Sequence, residues 1–187
     1  MLMPRWLFAL VQFLPLSFFA SYAFWYGAPD EARWRDAFQF ASLASLLQLA
    51  IVLPPRRPVS RLVLAANLYL LLGGIAFLTH QWWFLRMYDV MRESAIFISM
   101  LVVGVVSTIG TRAGFVASEV APRVAVIRAS SLLLVATVVG LIMSVVFRGD
   151  RYLAAVFPIL ALAILQRVLM HRLRHKYAHT ESASGRE

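Results

Sequence analysis

The stretch VAVIRASSLLLVATVVGLIMSVVF, residues 124–147, decides the class of fold because it is apolar almost throughout. Its one charged side chain, Arg128, lies about one helical turn from its start. An α-helix needs about 20 predominantly apolar residues to cross the hydrocarbon core of a bilayer. The stretch therefore predicts a helix that spans a membrane.

Similar apolar runs occur along the rest of the chain, which is 61% hydrophobic and only 14% charged, with a mean hydropathy of +0.75. A soluble domain carries about 25% charged residues. We therefore expect an all-α polytopic membrane protein with about six transmembrane helices in one bundle. The predicted spans are Trp6–Tyr26, Ala37–Leu53, Leu62–Phe77, Ala95–Thr111, Val124–Phe147 and Tyr152–Met170. They form a predicted domain at residues 1–174, followed by a basic and polar tail at residues 175–187 that we expect to be disordered.

The Lys and Arg residues predict the orientation of these spans. With about six crossings, the N-terminal segment, the loops on one side and the C-terminal tail together account for the whole formal net charge of +9. On the other side, basic and acidic side chains cancel. The positive-inside rule then places both termini in the cytoplasm, and the predominance of Arg over Lys is typical of GC-rich bacteria. This predicts a multi-pass protein of a bacterial inner membrane, with interfacial anchors on the outer side at Trp25, His80, Trp82 and Trp83.

Composition and motifs argue against several classes of function. The chain has no cysteine, so disulfides, thiolate chemistry and iron–sulfur ligation are excluded. No nucleophile–base arrangement, glycine-rich phosphate loop or cysteine–histidine metal spacing is present, so we expect no enzymatic activity, no cofactor and no metal. The pI of about 11.0 is explained by the loop charges, and no nucleic-acid partner is expected.

Polar residues inside the predicted spans allow two interpretations. Candidate intramembrane polar contacts are Gln39, Ser42, Gln48, Asn67 and Thr137. A polar side chain surrounded by lipid needs a hydrogen-bond partner, so these residues either join helices to one another or line a small wet cavity. Small residues repeat beside them at seven-residue spacing in Ser130, Thr137 and Ser144. Such a face favours close helix packing, and a solute path lined by hydroxyls is the alternative.

The region after the last span is strongly basic. Arg172, Arg174 and Lys176 are candidate contacts for anionic lipid headgroups. His171, His175 and His179 repeat every four residues, and a continuing helix would bring their rings to one face where they could bind a metal. The interleaved cations would repel a metal ion. We therefore favour a basic juxtamembrane helix that contacts lipids.

The segment Phe13-Leu14-Pro15-Leu16-Ser17-Phe18-Phe19-Ala20-Ser21-Tyr22 resembles the opening of the bacterial intracellular septation protein A family. Gly73-Gly74, an apolar stretch, His80, Trp83 and Phe84 resemble the family's third-helix ending. The resemblance covers residues 11–86, whereas residues 123–128 depart from the family pattern. It implies a multi-pass inner-membrane protein that supports cell-envelope integrity and septation through contacts with cell elongation or division proteins. It implies no catalytic residues.

Three hypotheses for function follow from these observations. The first is a non-enzymatic inner-membrane protein that supports cell-envelope integrity and septation. The alternative is a small channel or transporter for a small solute, assembled as a homo-oligomer. The third is a lipid-binding membrane protein that uses its basic tail.

Overall fold

The structure is a computed structural model. It describes residues 14–15, 17–19, 21–22, 31–52, 60–91, 93–150 and 152–184. Regular secondary structure in these ranges is helical throughout, so the predicted all-α class is confirmed for the described residues. Most of the predicted first span, Trp6–Tyr26, lies outside them.

The helices follow the apolar runs closely. They are α1 (Glu31–Val52), α2 (Arg61–Leu78), α3 (Trp82–Met91), α4 (Ser94–Gly110), α5 (Arg123–Val146) and α6 (Phe157–Ser184), and a π-helical turn, Tyr152–Val156, precedes α6. The structure corrects the sequence prediction at α3, because residues 78–93 were expected to form a loop. This helix has only 10 residues, too few for a span, and its exposed tryptophans follow one another directly.

Among the residues that the structure describes, three helices are long and apolar enough to cross a membrane: Arg61–Leu78, Arg123–Val146 and Tyr152–Tyr177. Helix α4 is equally apolar but slightly shorter. The outward face of α5 carries exposed aliphatic side chains, among them Leu132, Val135, Val139, Ile142 and Val146. A continuous apolar face of this kind is stable against lipid and unfavourable in water. The protein is therefore a helical, membrane-embedded protein.

The last helix is longer than the sequence predicts. Residues 175–184 continue α6 without a break, past the predicted end of the span at Met170. No proline or glycine interrupts the chain between Pro158 and Gly185, which explains the continuous helix. The predicted span Tyr152–Met170 contains Pro158, and a proline inside a helix removes a backbone hydrogen bond. In the structure, Pro158 lies in the first turn of α6, directly after the π-helical turn, where the missing N–H of proline is tolerated. A domain boundary at residue 174 stays a prediction.

Residue contacts divide the chain into two compact units. Unit 1 comprises Met1–Val59 and Val63–Met91, and unit 2 comprises Ser60–Leu62 and Arg92–Glu187. The start of α2 thus belongs to unit 2 and its remainder to unit 1.

In unit 1, α1 and α2 approach each other closely at two glycines. A Cβ atom on Gly73 would lie 2.4 Å from the ring of Phe38, and one on Gly74 would lie 2.3 Å from Ser42 Oγ. No side chain fits at either position without moving the helices apart. Helix α3 folds back against α2, where the rings of Tyr69 and Tyr88 stack with their centroids 5.0 Å apart.

In unit 2, α4 and α6 each pack against α5. Gly104 of α4 meets Leu134, and Gly140 of α5 meets Phe97, so α4 and α5 run antiparallel. The buried face of α5 consists mainly of small residues, including Ala129, Ser130, Thr137, Gly140 and Ser144. The predicted small-residue face of this helix is therefore a packing surface.

Candidate functional site

The segment between α4 and α5, residues 111–122, is a loop whose central residues 113–118 are buried, and we call it the buried loop. Phe115 and Val116 are completely buried although the backbone there is not helical. Gly114 and Ala117 both have positive φ angles, 61° and 60°. The loop lies tightly on α5, because a Cβ on Gly114 would lie 2.6 Å from Ser130 Oγ. The same hydroxyl accepts a hydrogen bond from the backbone N–H of Val116 at 3.3 Å.

Arg123, the first residue of α5, holds the end of α4. Its guanidinium donates hydrogen bonds to the backbone carbonyls of Thr108, Ile109 and Thr111. The last carbonyls of a helix have no partners within the helix and carry a partial negative charge. Arg123 satisfies these carbonyls and neutralises that charge, so it fixes both ends of the buried loop.

A hydrophobic cluster joins this loop to α6. Val116 of the loop, Val126 and Ala129 of α5 and Leu173 of α6 form its buried centre. We call the part of unit 2 around this cluster the basic end, because exposed cations surround it. They are Arg112, Arg128, Arg167, Arg172, Arg174 and Lys176.

The predicted lipid contacts all lie at the basic end. Arg172, Arg174 and Lys176 are exposed on α6, on either side of the inward-facing Leu173. The rings of His171 and His175 are 6.3 Å apart, whereas the side chain of His179 is outside the described part. Within the described residues, no group of three or more side chains is arranged to hold a metal ion.

The structure describes all five predicted intramembrane polar residues, four of them in unit 1 and one in unit 2. Gln39 is exposed, and Ser42 Oγ donates to its backbone carbonyl at 2.9 Å. Gln48 of α1 and Asn67 of α2 are both buried in unit 1. Thr137 is buried in unit 2.

The threonine hydroxyls in the apolar helices donate hydrogen bonds to backbone carbonyls of the same helix. Thr137 Oγ1 donates to the carbonyl of Leu133 at 2.8 Å, Thr108 Oγ1 to that of Gly104 at 2.7 Å, and Thr111 Oγ1 to that of Ser107 at 2.8 Å. A hydroxyl that bonds the carbonyl four residues earlier needs no other partner in lipid. These threonines therefore serve packing and present no free hydroxyl donor to a solute.

Some buried polar atoms lack such a partner. Among the residues that the structure describes, Asn67 Nδ2, Ser144 Oγ and Gln166 Nε2 are buried without a hydrogen bond. Gln166 was missed by the sequence prediction, although a glutamine within the apolar run Tyr152–Met170 was a visible signal. Arg123 and the buried loop were also missed, because no sequence motif marks a contact between a side chain and the end of another helix.

The predicted interfacial anchors cluster at the turn between α2 and α3. His80, Trp82 and Trp83 are all exposed there, and His80 has a positive φ of 54°. The Trp83 indole N–H donates to Gln81 Oε1 at 2.9 Å. Exposed indole and imidazole rings are suited to a membrane–water interface. Trp25, the fourth predicted anchor, lies outside the described residues.

Tyr88 is the described side chain with a clearly perturbed ionisation. It lies on α3, outside the candidate membrane spans, and its hydroxyl donates to the backbone carbonyl of Tyr69 at 3.2 Å. Burial raises the pKa of Tyr88 to about 12, because the tyrosinate would lose its hydration. This tyrosine therefore stays neutral at physiological pH and contributes to packing.

Comparison with known proteins found no matching family model, no matching curated protein and no matching solved structure.

Proposed function

We propose that the protein is a non-enzymatic, multi-pass protein of the bacterial inner membrane that supports cell-envelope integrity and septation. It acts through contacts with cell elongation or division proteins and with membrane lipids. The observation that supports this proposal is the closed packing of the apolar helices of unit 2. Gly104 and Gly140 let neighbouring side chains fill the space between helices, and Thr137 bonds its own backbone.

The proposed topology has six spans and both termini in the cytoplasm. The clustering of cations supports this topology, because the start of α5, the buried loop and the distal half of α6 share the basic end. Segments that the positive-inside rule assigns to one side of the membrane are thus neighbours in unit 2.

A crosslinking pull-down tests the envelope role directly. A tagged, natively expressed copy is crosslinked in its own membrane, and the recovered proteins are identified against a similarly tagged, unrelated multi-pass protein. Recovery of division or peptidoglycan-synthesis proteins above that control is the expected result. Recovery of only the protein itself, as a homo-oligomer, contradicts the proposal and favours the alternative.

The alternative is a small oligomeric channel or transporter for a small solute. Asn67 Nδ2, a buried atom of unit 1 without a hydrogen bond among the described residues, favours it because water in a path beside it would satisfy this donor. Gln48→Leu and Asn67→Leu should then abolish flux in liposomes, whereas exposed Gln39→Leu should not. If the packing interpretation is right, none of the three variants impairs the envelope function, which complementation of a deletion strain measures.

A further inference from the structure

The start of α2 contacts the middle of α6 within unit 2. Ser60, the residue directly before α2, donates a hydrogen bond from its hydroxyl to Gln166 Oε1 at 2.8 Å. Gln166 is only 5% exposed. The hydrogen bond fixes the amide plane and leaves its Nε2 group, with two N–H donors, beside the helix start.

Two buried donors in this region have no acceptor. Among the described residues, neither Gln166 Nε2 nor Arg61 Nε makes a hydrogen bond, although both atoms are inaccessible. A buried donor without an acceptor is strongly unfavourable. Both donors therefore call for a ligand that supplies acceptor oxygens and negative charge.

The helix itself adds to this preference. The first N–H groups of an α-helix have no partners within the helix, and the N-terminus carries a partial positive charge. Helix α2 has 18 residues, long enough to develop the full partial positive charge at its N-terminus. A guanidinium, an amide donor and a helix N-terminus together favour a phosphate group.

The surroundings indicate that the phosphate belongs to a lipid. On α6, Ile164 and Val168 flank Gln166 in sequence and are 63% and 41% exposed, so acyl chains can cover them. Gln166 also lies about one helical turn before Met170, where the apolar run ends, which is near headgroup depth.

We propose that Arg61 and Gln166 bind the phosphate of an anionic phospholipid and that Ser60 positions the amide of Gln166. Arg61 supplies the charge, and Gln166 supplies a neutral donor that distinguishes this site from general attraction to a basic surface. The site is independent of the proposed envelope role, because it requires only that the protein is embedded in lipid.

The test uses the full-length protein in detergent micelles, titrated with phosphatidylglycerol or phosphatidylcholine, with bound lipid counted by native mass spectrometry. Arg61→Gln and Gln166→Leu should each lower the affinity for phosphatidylglycerol about tenfold, and should lower that for phosphatidylcholine less, because its choline cation offsets the charge of the phosphate. Arg167→Gln removes a charge of the same sign from the position after Gln166 on α6. It should change the affinity for phosphatidylglycerol less than about twofold. Equal losses in Arg61→Gln and Arg167→Gln, or no loss in Gln166→Leu, would overturn the proposal.

Two further binding measurements test the site even if one of these variants folds poorly. Ser60→Ala removes the positioning hydrogen bond but no charge, and we expect it to weaken phosphatidylglycerol binding about threefold. In the wild-type protein, inorganic phosphate at millimolar concentration should not displace the lipid. Displacement would show that the site takes free phosphate, and the lipid assignment would then be wrong.

Discussion

The two units close their interiors by different means. In unit 1, α1 and α2 approach at Gly73 and Gly74, and aromatic rings such as Tyr69 and Tyr88 fill the remaining space. In unit 2, small residues line the helix contacts, and a buried loop held by Arg123 closes one end. The first arrangement depends on ring packing, which tolerates modest change. The second depends on hydrogen bonds to particular backbone carbonyls and on positive φ angles at particular residues. Substitutions should therefore destabilise unit 2 more than unit 1.

The largest effect is expected from Arg123→Ala. The variant leaves several carbonyls at the end of α4 without their charged donor and frees the buried loop. We expect a loss of about 4 kcal/mol of unfolding free energy, measured by denaturation in detergent micelles. Arg128→Ala, which removes an exposed cation from the same helix, should cost less than about 0.5 kcal/mol. Similar losses in both variants would mean that Arg123 is not a structural cap.

Gly114→Ala should have the next largest effect. A methyl group there would lie 2.6 Å from Ser130 Oγ and 2.7 Å from Val126 Cγ1, on a backbone with φ of 61°. The expected loss is about 3 kcal/mol, together with faster hydrogen exchange in the loop. The matched control is Gly110→Ala, because nothing lies within 4 Å of a Cβ at that position. If the control loses as much stability, the tight fit of the loop is not the cause.

The corresponding change in unit 1 is Gly74→Ala. Its methyl group would lie 2.5 Å from Ser42 Cβ, so α1 and α2 must separate slightly, at a cost of about 2 kcal/mol. Adding Ser42→Gly removes the opposing atoms and should restore about half of that loss. A double-mutant cycle on thermal unfolding measures this coupling. Strictly additive losses would show that the two positions do not touch.

The smallest effect is expected at Tyr88. Because burial raises its pKa to about 12 from an ordinary 10.0, the unfolded state loses this proton first. The stability that depends on neutral Tyr88 is present below pH 10 and is lost as the pH rises through about 12. A spectroscopic titration should therefore reveal one late-ionising tyrosine that is missing in Tyr88→Phe, a variant that costs about 1 kcal/mol. If a late-ionising tyrosine persists in Tyr88→Phe, the raised pKa belongs to a different tyrosine.

The sequence predicts the helices of this protein better than it predicts their contacts. Apolar runs locate α4 and α5, because a helix in lipid needs a continuous apolar surface and such a run is visible directly in the sequence. Helix α3 was missed because it has only 10 residues and interfacial side chains. The length of α6 was underestimated because a polar composition was taken to indicate disorder, although the segment lacks helix breakers.

The candidate sites were less predictable for a physical reason. Thr137 was identified as a polar contact, but whether it serves a solute or its own backbone depends on a rotamer, which composition does not determine. Arg123 was counted only as a loop charge, because its partners are backbone carbonyls that any sequence provides. The partner of Gln166, Ser60, lies 106 residues away along the chain. Such contacts become visible only once the helices are assembled.

Access of water to the interior of unit 2 is the measurement that tests this account most directly. The chain contains no cysteine, so single cysteines can be labelled in intact membranes with a charged, water-soluble maleimide. We predict rapid labelling of Arg148→Cys, at the exposed end of α5, and none of Thr137→Cys or Ser144→Cys, because both positions are packed between helices. Labelling of Thr137→Cys at a rate near that of Arg148→Cys would reveal a water-filled path and contradict the account.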